Sequence, residues 1–166
     1  MRLLSRDNVV VALRTAVVCL VSYAAGSRFT SLFHAGSAML AGVWSAVSGI
    51  VVLQATLEDT RGSAWLRVLG TLIGAATAAA YLYVLPFSVL GMAVCVGLTV
   101  LLCQAVRVPD HARMAAVTVV IILAVSVAAP AIRPVTNSLL RFFEACIGAA
   151  VAMAAVLLSP RRERKA

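Results

Sequence analysis

Thr60-Arg-Gly-Ser-Ala-Trp-Leu-Arg-Val-Leu-Gly-Thr-Leu-Ile-Gly-Ala-Ala-Thr-Ala-Ala-Ala80 is an apolar helix in the making, entered through a turn that carries Arg61 and Gly62. Gly70 and Gly74 stand four residues apart, on one helical face, and this small-residue spacing lets a neighbouring backbone come close inside a bilayer. Arg67 and Thr71 share that face. The helix thus offers a packing groove with a cation and a hydroxyl at its entrance.

Part of the pattern returns later. Arg67, Ile73, Gly74, Ala75 and Ala76 are matched, 74 residues on and without a gap, by Arg141, Ile147, Gly148, Ala149 and Ala150. Glu144 stands where the first copy has Gly70, and Gly148 occupies the packing position of Gly74. The repeat predicts two related halves, about 8–84 and about 86–159.

Composition sets the environment. The chain is 63% hydrophobic and 12% charged, with a mean hydropathy of +1.03, whereas soluble domains are about 45–50% apolar and about 25% charged. It reads as an all-α, polytopic membrane protein, a single transmembrane domain over 1–166. Six apolar segments are expected, at about Val9–Ala25, Ala38–Gln54, Trp65–Val84, Phe87–Val106, Met114–Ala129 and Leu139–Ser159. Each is near the ~20 residues that cross a hydrocarbon core of ~30 Å, which leaves no room for a soluble domain. The first segment contains Arg14 and is followed by further spans, so it is expected to be a retained helix and not a signal peptide. Three spans per half is an odd number, and the two halves are therefore expected to be inverted with respect to each other.

Arg2, Arg6, Arg61, Arg67, Arg107, Arg113 and the tail around Arg161 gather on one side of the membrane, against Arg28, Arg133 and Arg141 on the other. The positive-inside rule then places both termini in the cytoplasm, with a basic tail at 160–166 that can touch anionic lipid. The net charge of +8 is mostly this bias. Basic residues split among short loops do not make a nucleic-acid module. Cys19, Cys95, Cys103 and Cys146 lie within spans without metal-ligand spacing and read as unreactive buried thiols. No metal, cofactor or catalytic constellation is expected.

The charged and polar residues inside the spans carry the functional question. Arg14 lies two turns inside the first span, either snorkelling to the interface or facing an internal aqueous path. Trp44 is a packing aromatic or a substrate-facing one, and Gln54 ends the same span. Glu58 and Asp59 read as caps and loop charge in an inner loop over Ala55–Ser63. Asp7 or Asn8 is available to cap the first helix, Asp110 the fifth, and Thr136, Asn137 or Ser138 the sixth. Gly91 and Gly97 are expected to allow close packing, and the fifth span, rich in Val, Ile and Ala, reads as structural or lipid-facing. His34 suits the surface, and His111 has no evident partner. Arg141 and Glu144, at i and i+3, can pair on one face. Alternatively Glu144, the only carboxylate well inside a span, couples protons, with burial and the Arg141 charge acting on it in opposite senses.

Leu13-Arg14-Thr15, Trp44-Ser45 through Val52-Leu53-Gln54, and Leu66-Arg67 with Gly70-Thr71-x-x-Gly74 resemble the fusaric acid resistance and aromatic acid exporter family. The ending, Arg141 through Ile147-Gly148 to Leu158-Ser159-Pro160, resembles the close of its six-helix membrane unit. The resemblance implies efflux of aromatic carboxylates or related organic anions across a bacterial inner membrane. Plant aluminium-activated malate channels are more distantly similar, which keeps a passive anion path open. The larger exporters join two such units and add cytoplasmic domains; one unit here implies a homodimer. The expected function is therefore an organic-anion exporter or channel and not an enzyme. Arg14 would bind the carboxylate, Trp44, Gln54 and Thr71 would line the path, Arg67 and Arg141 would set its mouths, and Glu144 would be available for proton coupling. The competing expectation is a non-transporting membrane scaffold or accessory subunit.

Overall fold

The structure is a computed structural model that describes residues 6–130 and 132–158. Six α-helices follow one another: α1 (Arg6–Ser31), α2 (Ala38–Val52), α3 (Leu57–Val84), α4 (Val89–Ala105), α5 (Ala112–Ala128) and α6 (Pro134–Leu157). Short 3-10 turns precede α2 and α5. Five of the six segments are long and apolar enough to cross a membrane, and α4, at 17 residues, is the short apolar helix among them. Seventeen residues rise about 25 Å, the lower end of what a span needs. The protein is a multi-pass, all-α membrane protein. Arg2, the side chain of Asp7 and the basic stretch 160–166 lie outside the described residues.

The helix ends are set by local chemistry. Thr56 caps α3: its hydroxyl accepts from the Asp59 N–H at 3.2 Å and donates to the Asp59 carboxylate at 2.6 Å. Glu58 and Asp59 consequently lie in the first turn of α3, where the helix dipole favours anions. The loop expected over Ala55–Ser63 is mostly helix for this reason. Ser88 caps α4 by accepting from the Gly91 N–H at 3.0 Å. At the far end of α4, Arg107 takes the left-handed conformation, φ 59°. The Val108 N–H reaches the Cys103 carbonyl at 2.9 Å and the Arg107 N–H reaches Gln104 at 3.1 Å, the bond pattern of a Schellman stop. His111, not Asp110, is the residue that precedes α5. Pro134 opens α6, where its missing N–H costs nothing. Thr136, Asn137 and Ser138 therefore fall inside the helix instead of capping it.

Contacts divide the chain into two compact units, one made of Met1–Ala64 with Cys146–Ala166 and the other of Trp65–Ala145. In the first, α1 and α2 close tightly: a Cβ at Gly42 would lie 2.7 Å from the Tyr23 ring, and one at Gly49 would lie 2.5 Å from the Ser22 hydroxyl. The last part of α6 joins them at Gly148, where a Cβ would meet the Ser45 carbonyl at 2.2 Å. In the second unit α3 lies on α5, and a Cβ at Gly74 would meet the Ala115 carbonyl at 2.3 Å. Ala75, Ala78, Cys95, Val119, Ile122 and Leu123 form the apolar core there. The fifth helix, uniform in sequence, is the element on which this core is built. Gly97 has nothing within 4 Å, so the close packing expected at that position is absent; Gly91 instead abuts the Tyr81 side chain.

Hydroxyls inside the helices are largely satisfied along their own helix. Thr15, Ser48, Thr77, Thr99 and Thr118 each donate to the carbonyl four residues back, which suits a medium that offers no water.

Candidate functional site

In the first unit the site is built where α1 passes the end of α2. The half-buried guanidinium of Arg14 donates to the main-chain carbonyl of Gln54, close to the negative end of α2. The same residue's N–H is held by the Thr60 hydroxyl at 3.1 Å, and its side-chain amide donates to the Val51 carbonyl at 3.3 Å. The turn that receives Arg14 is thus pinned on both sides. A cleft of about 190 Å³ opens here, lined by Val10, Val11, Arg14, Thr15 and the turn Leu53–Ala55. Among the described residues no carboxylate lies within ion-pair distance of Arg14. A cation held by a neutral carbonyl keeps its charge toward an incoming anion, and a guanidinium fits a carboxylate in two-pronged fashion. Trp44 is not part of this lining. It is 6% exposed, ten residues before Gln54 and so about 15 Å away along α2.

The second unit holds the other charged groups. Arg67 is 2% exposed and donates to the Met114 sulfur at 3.6 Å. Gly70 faces His111, Met114 and Ala115, and Gly74 faces Ala115 and Thr118. The two contact sets advance together, so α3 and α5 run side by side in the same direction, with Thr71 fully buried between these levels. On α6, Arg141 and Glu144 are both fully buried and joined at 2.8 Å. Asn137, one turn earlier, donates to the Ile122 carbonyl of α5 at 3.2 Å. The short turn between α5 and α6 sends α6 back along α5. Arg141 and Glu144 therefore lie about 6 Å and about 10 Å further from Asn137 along that return, toward the levels of Thr118 and Ala115.

The structure accordingly brings Arg14 to Gln54, Arg67 to α5 and Arg141 to Glu144, and buries Thr71. Sequence reasoning gave no role to Thr60, which fixes the Gln54 turn, or to Asn137 as an α5–α6 link. His111 is 7% exposed, and a polar ring at the mouth of an apolar helix was its only signal. Among the described residues no three His, Cys, Asp or Glu side chains cluster as a metal site, and the four cysteines are free thiols. Of these arginines Arg14 borders the cleft, while Arg67 and Arg141 are buried within the second unit.

Comparison with curated proteins and with solved structures finds no match to the chain. A family model does match. Over residues 29–155, covering α2 to α5 entire and most of α6, the sequence fits the model described as fusaric acid resistance protein-like, and the chain belongs to that family.

Proposed function

We propose that the protein moves organic anions, aromatic carboxylates in particular, out across a bacterial inner membrane as a homodimeric exporter or channel, with both termini in the cytoplasm. The observation that carries this reading is Arg14, a guanidinium inside an apolar helix that opens on a cleft and leans on a carbonyl instead of a carboxylate. Family membership supports a membrane transport role for organic acids. Arg14 takes the carboxylate, Gln54 fixes its aim, and Trp44 lines a deeper part of the route for the ring. Arg67, Thr71 and Arg141 set an attractive potential for anions, and Glu144 is the group placed for proton coupling. Gly70, Gly74 and Gly148 let the helices close around the route, and the two halves of the sequence work as inverted repeats. The chemistry is recognition and passage, with no covalent step, cofactor or nucleic-acid partner.

The Arg141–Glu144 pair, fully buried and joined at 2.8 Å, favours a second reading, in which the charges serve assembly and the protein is a membrane scaffold or accessory subunit. Flux separates the two. Purified protein in liposomes loaded with labelled benzoate should release it saturably, and benzoate should raise the unfolding temperature in detergent. Liposomes that retain benzoate as protein-free ones do, together with an unshifted unfolding temperature, would establish the scaffold.

A further inference from the structure

His111 is a buried ionisable side chain that the transport reading leaves idle. It is 7% exposed, and both ring nitrogens lack a hydrogen-bond partner among the described residues. Its backbone is packed by α3, and its turn also lies against α4. A Cβ on Gly70 would touch the His111 carbonyl at 3.0 Å and the Met114 Cβ at 2.6 Å, so the two backbones are in close contact at this level. Because α3 and α5 run in the same direction, Arg67, one turn before Gly70, falls level with His111. Its guanidinium donates to Met114 Sδ at 3.6 Å, which places its head on the same face of α5.

Thr71 completes the group. Its hydroxyl is fully buried and has no partner among the described residues, whereas Thr77, Thr99 and Thr118 in the same unit all bond the carbonyl four residues back. Native interiors seldom leave buried polar atoms without a partner, and each such atom asks for an explanation. Here a hydroxyl and an imidazole, both more than nine-tenths buried, belong to the packed stretches of α3 and α5 that also carry a buried guanidinium. All three can donate hydrogen bonds, and a carboxylate is a compact anion with enough lone pairs to accept from all of them.

We infer that Arg67, Thr71 and His111 form a carboxylate-binding subsite, separate from the Arg14 cleft, in which His111 is a direct ligand. The inference rests on the organic-anion reading above and adds to it a second station for the substrate's charged end. A metal is a poor occupant, since no third His, Cys, Asp or Glu joins His111 among the described residues.

The chain has two histidines, so ring-¹⁵N-histidine labelling of the full protein in nanodiscs gives two imidazoles, and His34→Gln leaves His111 alone. Titration with benzoate should displace the His111 ring resonances saturably, while benzamide, which lacks the charge, should not. Arg67→Gln should abolish the displacement in protein that remains folded by its unfolding transition. Flux is read on the same preparation. Saturable benzoate flux with unmoved His111 resonances would overturn the subsite and leave the transport reading standing. Resonances that move equally with benzoate and benzamide would overturn it as well, since they report generic ring binding or a displaced water. Absence of both flux and displacement would overturn the two together.

Discussion

Arg14 and Arg141 both sit inside apolar helices, and they are held in opposite ways. Arg141 is fully buried and joined to Glu144 from its own helix, so its charge is answered within the fold. Arg14 is half-buried, borders a cleft, and leans on the carbonyl of a residue 40 positions away. The difference separates a charge answered by a carboxylate of its own helix from one answered by a main-chain carbonyl of another, and the proposed function gives the second to the substrate. A sequence that places arginines inside spans does not distinguish these cases, because the counter-ion, and not the arginine, defines the role.

The comparison is broken most severely at Glu144. Glu144→Ala should cost about 3–5 kcal/mol, because it strands a buried guanidinium, whereas joint replacement by Arg141→Met and Glu144→Leu should restore stability to near that of the parent. Unfolding in mixed micelles reads both. A mild Glu144→Ala variant would mean that Arg141 is no better answered than Arg14.

Helix closure gives the next effect. Gly148→Ala places a methyl group 2.2 Å from the Ser45 carbonyl and Gly74→Ala places one 2.3 Å from that of Ala115, and such overpacking against backbone should cost about 1–3 kcal/mol. Gly97→Ala meets open space and should be neutral or stabilising by up to about 1 kcal/mol through helix propensity. The same unfolding measurement ranks the three, and equal costs would remove the assigned packing contacts. Arg107→Gly should stabilise by about 1 kcal/mol, since Gly occupies the left-handed region without a Cβ clash.

How much of this was legible beforehand follows from which interactions are local. The six apolar segments are plain in the sequence, because hydrocarbon excludes polar residues over a fixed length. Their ends are less plain. α1 runs on to Ser31 and α3 begins at Leu57, since polar residues are tolerated in a helix once it leaves the apolar layer. The Thr56 cap then turns what reads as a loop into the first turn of a helix. Arg141 and Glu144 could be paired by spacing alone, being one turn apart. Arg14 and Gln54 could not, because only tertiary structure brings α1 past the end of α2. Gly74 and Gly97 look alike as letters, yet one lies against Ala115 and the other against nothing, for a glycine's neighbours are set by which helix crosses it. His111 was silent for a related reason: its burial depends on how the turn before α5 packs against its neighbours.

Arg14 itself contributes least to the fold. Arg14→Gln should change stability by no more than about 0.5 kcal/mol, as expected for a partly exposed side chain whose one acceptor can turn to water. In the proposed function its effect belongs to transport, and benzoate flux from proteoliposomes containing Arg14→Gln, beside the parent and Arg14→Lys, is the sharpest test. Loss of a charge-assisted hydrogen bond to a carboxylate corresponds to about 10- to 100-fold in affinity. Arg14→Gln should show a loss of that size, Arg14→Lys a partial recovery, and both should assemble as the parent does. Flux from Arg14→Gln equal to that of the parent, across the full range of benzoate concentration, would contradict the proposed role of Arg14.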